Sequence, residues 1–442
     1  MDHLEIIADD YSTRRVPPSA RRSWFGIAVQ RFGQVSDLSQ FLLGAMLGFG
    51  MTFWNAFWAL TLGAIVFEAL AILTGIIGAR EGLNTSLLAR WSGFGRIGSA
   101  LLAAAISISL IGWFGIQTGI SAIGLHQLMP ALSTPAWAII FGFVITLIVV
   151  RGFGSMQWVA NVTVPLFLVL VGWAVVSELS QHSLTRLMQQ APPGPEISLL
   201  SGATVVAGSF IVGSVIAPDM TRYNRSVSDV VKQTLIGITL GEYAIGMVGV
   251  LLAHAVKSND ITAIIFTSVG WVGVLVIVLG TTKINDWNLY SSSLGFVNIA
   301  DLLFGIRLHR GLVTVAVGTV GTMLAAAGFL DRFVDFLTIL SVAFPPVAGI
   351  MIAEYFVVKR WRPALENSRS KSALPEETPD WVPATLVIWL GSALIGYHVT
   401  IGMPALNSVA IAFVLYLLAG RLGLLVSIGA TCAPDDLVET NR

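Results

Sequence analysis

The feature that most constrains this chain is the recurrence of long apolar runs. Ala136 to Val150 holds no charged residue, and Val272 to Leu279 is apolar throughout apart from one glycine. Several runs reach the roughly 20 residues that carry a helix across a bilayer. In lipid a spanning segment must satisfy its own backbone hydrogen bonds, which selects helices here. Composition agrees: 55% of the 442 residues are hydrophobic, 11% are charged and mean hydropathy is +0.80. Soluble domains carry about 25% charged residues and can face water all round. The sequence therefore predicts an all-α polytopic membrane protein of about twelve transmembrane helices, near 26–51, 53–78, 97–125, 134–151, 157–178, 197–217, 231–256, 267–300, 309–328, 333–357, 380–399 and 403–427.

Basic residues orient these spans. With the N-terminus inside, Arg14, Arg15, Arg21, Arg22, Arg80, Arg90, Arg96, Arg151, Arg222, Arg225 and Lys232 fall on the cytoplasmic side, and only Arg186, Lys257 and Arg332 fall outside. That is the positive-inside asymmetry. It implies a multi-pass protein of the plasma (inner) membrane with both termini cytoplasmic. The expected organisation is a cytoplasmic arm at 1–24, a ten-helix core at 25–358, a cytoplasmic linker at 359–379, two further helices at 380–427 and a tail at 428–442. The polar N-terminus shows no signal-peptide pattern. A formal net charge of +0 gives no hint of nucleic-acid binding, and the single Cys432 excludes an intramolecular disulfide or a cysteine metal site. Scattered histidines argue against an enzyme, so neither catalytic residues nor a metal are expected.

The informative residues are polar groups inside these spans, because burying them costs several kcal/mol unless they are paired or used. The first span carries Gly33, Gln34, Ser36, Asp37, Ser39 and Gln40 before it returns to Phe41-Leu42-Leu43. The sixth carries Gly202, Gly208, Ser209, Gly213 and Ser214 around Phe210. Both read as interrupted helices, and they are the first members of two five-span halves. Breaks at matched positions of two inverted repeats mark the midplane site of a transporter. The alternative is that these glycines only let helices pack closely. In the third span Trp113 and Gln117 share a helix face. A flat aromatic beside an amide suits a flat, hydrogen-bonding ligand, although tryptophans also serve at lipid interfaces. In the eighth span Asn285, Asn288 and Ser292 follow helical spacing, while Lys283, Asp286, Trp287 and Tyr290 form another stripe. Glu68 and Glu242 are further intramembrane carboxylates that could carry a proton or pair with Lys283.

Several stretches together resemble the nucleobase:cation symporter-1 family, most closely its bacterial cytosine permease branch: Val16-Pro-Pro-Ser-Ala-Arg-Arg22, Gly82-Leu-Asn-Thr-Ser-Leu-Leu-Ala-Arg-Trp91, Gly112-Trp-Phe-Gly115, Ala217-Pro-Asp-Met-Thr-Arg-Tyr223, Asn285-Asp-Trp-Asn-Leu-Tyr290 and Phe344-Pro-Pro-Val-Ala-Gly349. The resemblance implies the five-plus-five inverted repeat of the leucine transporter with two extra C-terminal helices. It implies that Trp113 stacks on a base, that Gln117 supplies an amide one turn on, and that Gly208, Ser209 and Phe210 form a break whose backbone and aromatic ring close on the ligand. Asn285 and Asn288 would read the ring edge.

Two positions depart from the family pattern. The cytosine branch has a glutamine where this chain has Leu110. Sodium-coupled members use span 8 hydroxyls just before the Asn-Asp motif, where this chain has Lys283-Ile284. Gly33 is retained, and Asp37 stands at the matching span 1 position. The reading is a built-in Asp37–Lys283 pair in place of sodium. The expectation is a secondary active importer of a nucleobase, cytosine- or purine-like, or a related small heterocycle. It would be proton-coupled or sodium-independent and would need no cofactor. The alternatives are a sodium-coupled symporter of a hydantoin, allantoin or vitamin-precursor type, with sodium held by Asp37 and Thr281 or Thr282, and a ligand-binding sensor on a transporter fold. The oligomeric state is left open.

Overall fold

The computed structural model of the protein describes Tyr11 and residues 14–432, apart from 36–37, 153–154, 156–158, 160–161, 164, 168, 171, 174–175, 178–179, 261–269, 307 and 400. The described chain is mainly helix. The first expected span is α1 (Trp24–Val35) and α2 (Leu38–Gly50), and the two residues between them lie outside the described residues. Helix α3 (Phe53–Glu81) begins where the Thr52 hydroxyl accepts the Asn55 N–H and ends at Gly82, left-handed at φ 65°. A glycine adopts that closing conformation without the penalty a Cβ would bring. Helix α4 (Thr85–Ala89), capped by Asn84, leads through a π-helical bend at Arg90–Phe94 into the long α5 (Gly95–Leu128). Next comes α6 (Thr134–Val150). Much of the expected fifth span lies outside the described residues.

After the short α7 (Leu184–Gln189), the sixth span is broken as expected. It consists of α8 (Leu199–Ser209), α9 (Ile211–Val215) and α10 (Ala217–Thr221). The seventh is α11 (Val227–Gly241), a π segment at Glu242–Gly246 and α12 (Met247–Val256). The eighth is one helix, α13 (Trp271–Phe304), despite its polar middle. It is followed by α14 (Arg310–Ala326), then by α15 (Phe333–Ala343) and α16 (Pro345–Ile352), which part at the Phe344-Pro345 step. Proline cannot donate into the preceding turn, so the helix restarts there.

Packing pairs the two halves. α1 and α2 run along α11 and α12, as α8 runs along α3; α5 lies along α13, and α6 along α14. Two sets of helices result, one built on the interrupted spans and one on the long α5 and α13. The seam between α2 and α12 is lined by small residues. A Cβ at Gly48 would fall 2.6 Å from the Val250 carbonyl oxygen. Small residues let backbones approach where lipid supplies no hydrophobic drive.

The face that carries Arg15 is tied together by charge. Arg15 donates to the Glu81 carboxylate at 3.0 Å, to the Leu365 carbonyl at 3.1 Å and to Ser368 Oγ at 2.7 Å. Burial depresses the Arg15 pKa, and the Glu81 carboxylate opposes that shift. The stretch expected as linker carries α17 (Arg362–Ser370) and a strand, β1 (Glu377–Trp381). The last helices, α18 (Pro383–His398) and α19 (Pro404–Arg421), follow it. Strand β1 pairs antiparallel with β2 (Ile428–Cys432), so the start of the expected tail folds back onto the linker.

Candidate ligand-binding site

Helix α8 ends at Ser209, and the backbone leaves helical geometry at Phe210, with φ −117° and ψ 14°. The break holds the Phe210 ring against α5. The indole of Trp113 and the ring of Phe210 are stacked, 14° from parallel, with centroids 6.2 Å apart. Phe336 and Phe333 of α15 meet the indole edge-on, at 5.5 Å and 6.1 Å. Behind Phe210 lies Phe67 of α3, 6.5 Å away and 28° from parallel. The site is thus an aromatic clamp. One jaw sits on the long-helix scaffold and the other on the interrupted helix, with a frame of edge-on rings around the fixed jaw.

The polar residues divide the work. Gln117 is buried one turn beyond Trp113. Asn285 is fully buried, and its Nδ2 donates to the Phe114 carbonyl at 3.2 Å and to Thr118 Oγ1 at 2.9 Å. Further along α13, the Ser292 hydroxyl donates to the Ser107 carbonyl at 2.9 Å. Asn285 and Ser292 therefore form a polar seam that fixes α13 against α5, directly behind Trp113. Oδ1 of Asn285 is buried and accepts no hydrogen bond among the described residues. Asn288 is 5% exposed, and no side-chain hydrogen bond from it is seen among the described residues. The second stripe divides: Trp287 is 45% exposed on the outside of the bundle, while Tyr290 packs under the Arg310 guanidinium at 5.3 Å.

At the break, the Ser209 hydroxyl donates back to the Val206 carbonyl at 2.7 Å, so Ser209 would serve a ligand through its backbone. Gly208 lies where α8 meets α15; a Cβ there would sit 2.8 Å from Ser341 Cβ and 2.9 Å from the Leu337 carbonyl oxygen. The expected coupling residues are less fully placed. Gly33 falls within α1, and Asp37 lies outside the described residues. The Lys283 ammonium lies 5.2 Å from the centre of the Phe167 ring.

Sequence reasoning missed Phe333, Phe336 and Phe67. A signal existed for the first two, since aromatic residues three apart share a helix face. Within an apolar run, however, that spacing does not distinguish a site from lipid.

A family described as permeases for cytosine/purines, uracil, thiamine and allantoin matches residues 15–423. The cytosine permease of Escherichia coli K12 is 28% identical over 387 residues, covering 87% of this chain and 88% of that protein. The hydantoin permease of Microbacterium maritypicum is 24% identical, covering 81% of this chain and 76% of that protein. Among solved structures, the inward-facing conformation of Mhp1 superposes with a TM-score of 0.77 at 18% identity, covering 95% of this chain and 99% of that one. A sodium-coupled sialic acid symporter superposes with a TM-score of 0.64 at 12% identity, covering 96% and 94%. These likenesses show the fold: the inverted-repeat transporter architecture expected from the paired interrupted helices.

Proposed function

The chain belongs to the family of permeases for cytosine/purines, uracil, thiamine and allantoin, and from that premise we propose that it imports a flat nucleobase, cytosine- or purine-like, by alternating access. It is a multi-pass membrane transporter of heterocycles, not an enzyme. The observation that carries the substrate reading is the near-parallel Trp113–Phe210 pair, 14° apart in plane. Base–aromatic stacking is worth about 1–3 kcal/mol per base and tolerates different rings. Selectivity then falls to amides: Asn288, Gln117 and the Oδ1 of Asn285. A buried amide left unmatched by the wrong ring costs about 1–3 kcal/mol.

For coupling, the reading is sodium-independent or proton-driven uptake, with Lys283 paired to Asp37 where sodium-coupled relatives would hold the ion. The hydroxyls a rebuilt sodium site would use, those of Thr281 and Thr282, give their protons to backbone carbonyls, which leaves their oxygen lone pairs in place, so it is Lys283, and not these hydroxyls, that supports sodium-independent coupling. Thr281 donates to the Ile277 carbonyl at 2.8 Å and shares a short hydrogen bond with Ser121, and Thr282 donates to the Val278 carbonyl at 2.6 Å. The basic residues support insertion in the inner membrane with both termini cytoplasmic.

The test is thermal stabilisation of the purified protein by cytosine, purines, uracil, hydantoin and allantoin, in sodium and in choline buffers. A ligand at 100 times its dissociation constant adds about 2.7 kcal/mol to the folded state. One nucleobase stabilising equally in both salts is expected. Stabilisation confined to sodium overturns the coupling, stabilisation by hydantoin or allantoin alone overturns the nucleobase assignment, and binding without flux in vesicles points to a sensor.

A further inference from the structure

Away from the aromatic clamp, α3 and the seventh span bury a second polar cluster. Glu68 lies midway along α3, and its Oε1 accepts a hydrogen bond from Thr239 Oγ1 at 2.6 Å. Glu242 opens the π segment of the facing helix and is 1% exposed. Its Oε2 is buried with no hydrogen-bond partner among the described residues. Thr239, which holds Glu68, stands three residues before Glu242 on the same helical stretch, so both meet α3 on one face. Tyr243, next in sequence, shares a short hydrogen bond with Thr61 of α3. From α2, Gln40 reaches the Glu242 backbone carbonyl, with Nε2 at 3.5 Å.

The groups around the pair are therefore Glu68 and Thr61 on α3, Thr239 and Tyr243 on its own helix, and Gln40 on α2. The cation on the facing α1, Arg31, packs against Gly237, more than a turn away, and its charge interacts with Asp219. Among the described residues neither glutamate forms an ion pair. Two carboxylates buried on facing helices without a cation do not both stay ionised, because each charge raises the cost of the other. A neutral carboxyl is the form that a membrane interior tolerates. A π segment, rare in helices and frequent at functional sites, places the carboxylate there.

We propose that Glu242, with Glu68 beside it, is the proton-binding site that couples uptake to the proton gradient. The inference rests on the sodium-independent reading above and assigns the residues that carry its driving ion. A proton from hydronium outside binds the Glu242–Glu68 pair, one hydronium O–H bond breaking as one carboxyl O–H bond forms, and on the cytoplasmic side it returns to water by the reverse exchange. The sensing element is α2, the second half of an interrupted helix. It contacts the π segment through Gln40 and packs on α12 along the Gly48–Val250 seam, so its movement during alternating access alters the surroundings of Glu242.

The experiment reconstitutes the full chain in sodium-free vesicles with an alkaline interior and follows labelled cytosine. Infrared difference spectra between acid and alkaline pH follow the protonated-carboxyl stretch independently of transport. The expected result is wild-type accumulation driven by the pH gradient. In Glu242→Gln, and in Glu68→Gln, that accumulation is lost to a greater extent than exchange at equal pH, and a carboxyl band disappears from the spectrum of Glu242→Gln. Gradient-driven accumulation in wild type that persists in both variants overturns the proposal alone. Accumulation in wild type that requires sodium overturns it together with the coupling reading. Should cytosine not be carried, the spectra decide: a pH-sensitive carboxyl band unchanged in both variants sinks the assignment.

Discussion

Trp113 and Phe210 face each other almost in parallel across the junction of the two helix sets, with ring centroids 6.2 Å apart. Atoms in stacked rings rest about 3.5–4.0 Å apart, so a planar ligand between two rings needs a gap of roughly 7 Å. The centroid separation of 6.2 Å is the upper bound on the gap between the ring planes, so to admit a base the clamp must open. Its movable jaw sits on a break in the sixth span, where a small change at Phe210 widens the gap. A base between the rings would join the scaffold to the interrupted helix through stacking on both faces. Phe210→Ala and Trp113→Ala are each expected to weaken nucleobase binding by about 5- to 150-fold, from the loss of about 1–3 kcal/mol of stacking. Trp113→Phe should recover part of the loss. Equilibrium binding by the purified protein measures this, and unchanged affinity in both alanine variants would remove the clamp from the site.

Asn285 and Asn288 stand one turn apart on α13, but among the described residues only Asn285 donates hydrogen bonds to α5. Asn285→Ala removes two hydrogen bonds that fix α13 to α5. Interhelical hydrogen bonds of this type are worth about 0.6–1.7 kcal/mol in membranes. The expected outcome is a lower melting temperature of the ligand-free protein. Asn288→Ala should leave that melting temperature in place and change the ranking of nucleobases in a binding panel. Equal effects of the two variants on both readouts would refute the division.

Gly208 sits where α8 presses on α15. An added Cβ would fall 2.8 Å from Ser341 Cβ and 2.9 Å from a backbone oxygen. Overpacking of this kind typically costs about 1–3 kcal/mol. Gly208→Ala should lower thermal stability and slow uptake, because the break beside it carries one jaw of the clamp. Uptake and melting temperature equal to wild type would show that the interface yields without consequence.

Much of this was legible in the sequence, for physical reasons. Membrane-spanning helices are long and apolar, so hydrophobicity alone announces an all-helical membrane fold. The sixth-span break could be read because Gly208, Ser209, Gly213 and Ser214 are out of place in lipid. What escaped was direction and distance. Asn285 announces a buried amide, but residue type does not say whether it faces ligand or a neighbouring helix. Phe333 and Phe336 were hidden because an aromatic ring is equally at home in lipid and in a site. The pairing of Glu377–Trp381 with Ile428–Cys432 joins strands separated by two helices, and no local pattern encodes it.

The ion-pair cluster around Glu81 supplies the last prediction. Glu81 is fully buried and bonds to three groups from separate parts of the chain: Arg15 at 3.0 Å, Arg369 at 2.9 Å and the Tyr355 hydroxyl at 2.6 Å. The side chain of Arg15 is 5% exposed, whereas that of Arg369 is 40% exposed. Removing one member of a buried ion pair strands the other and costs about 3–5 kcal/mol. Removing a solvated partner costs about 0–1 kcal/mol. Glu81→Gln would leave the Arg15 guanidinium buried beside a neutral amide, and should be the most destabilising change. Arg369→Ala should be nearly silent, since Arg15 and Tyr355 still hold the carboxylate. Melting temperatures of the two variants in the same detergent make the comparison. If Arg369→Ala proved as damaging as Glu81→Gln, the binding of the linker helix α17, rather than the burial of Arg15, would be what holds this face together.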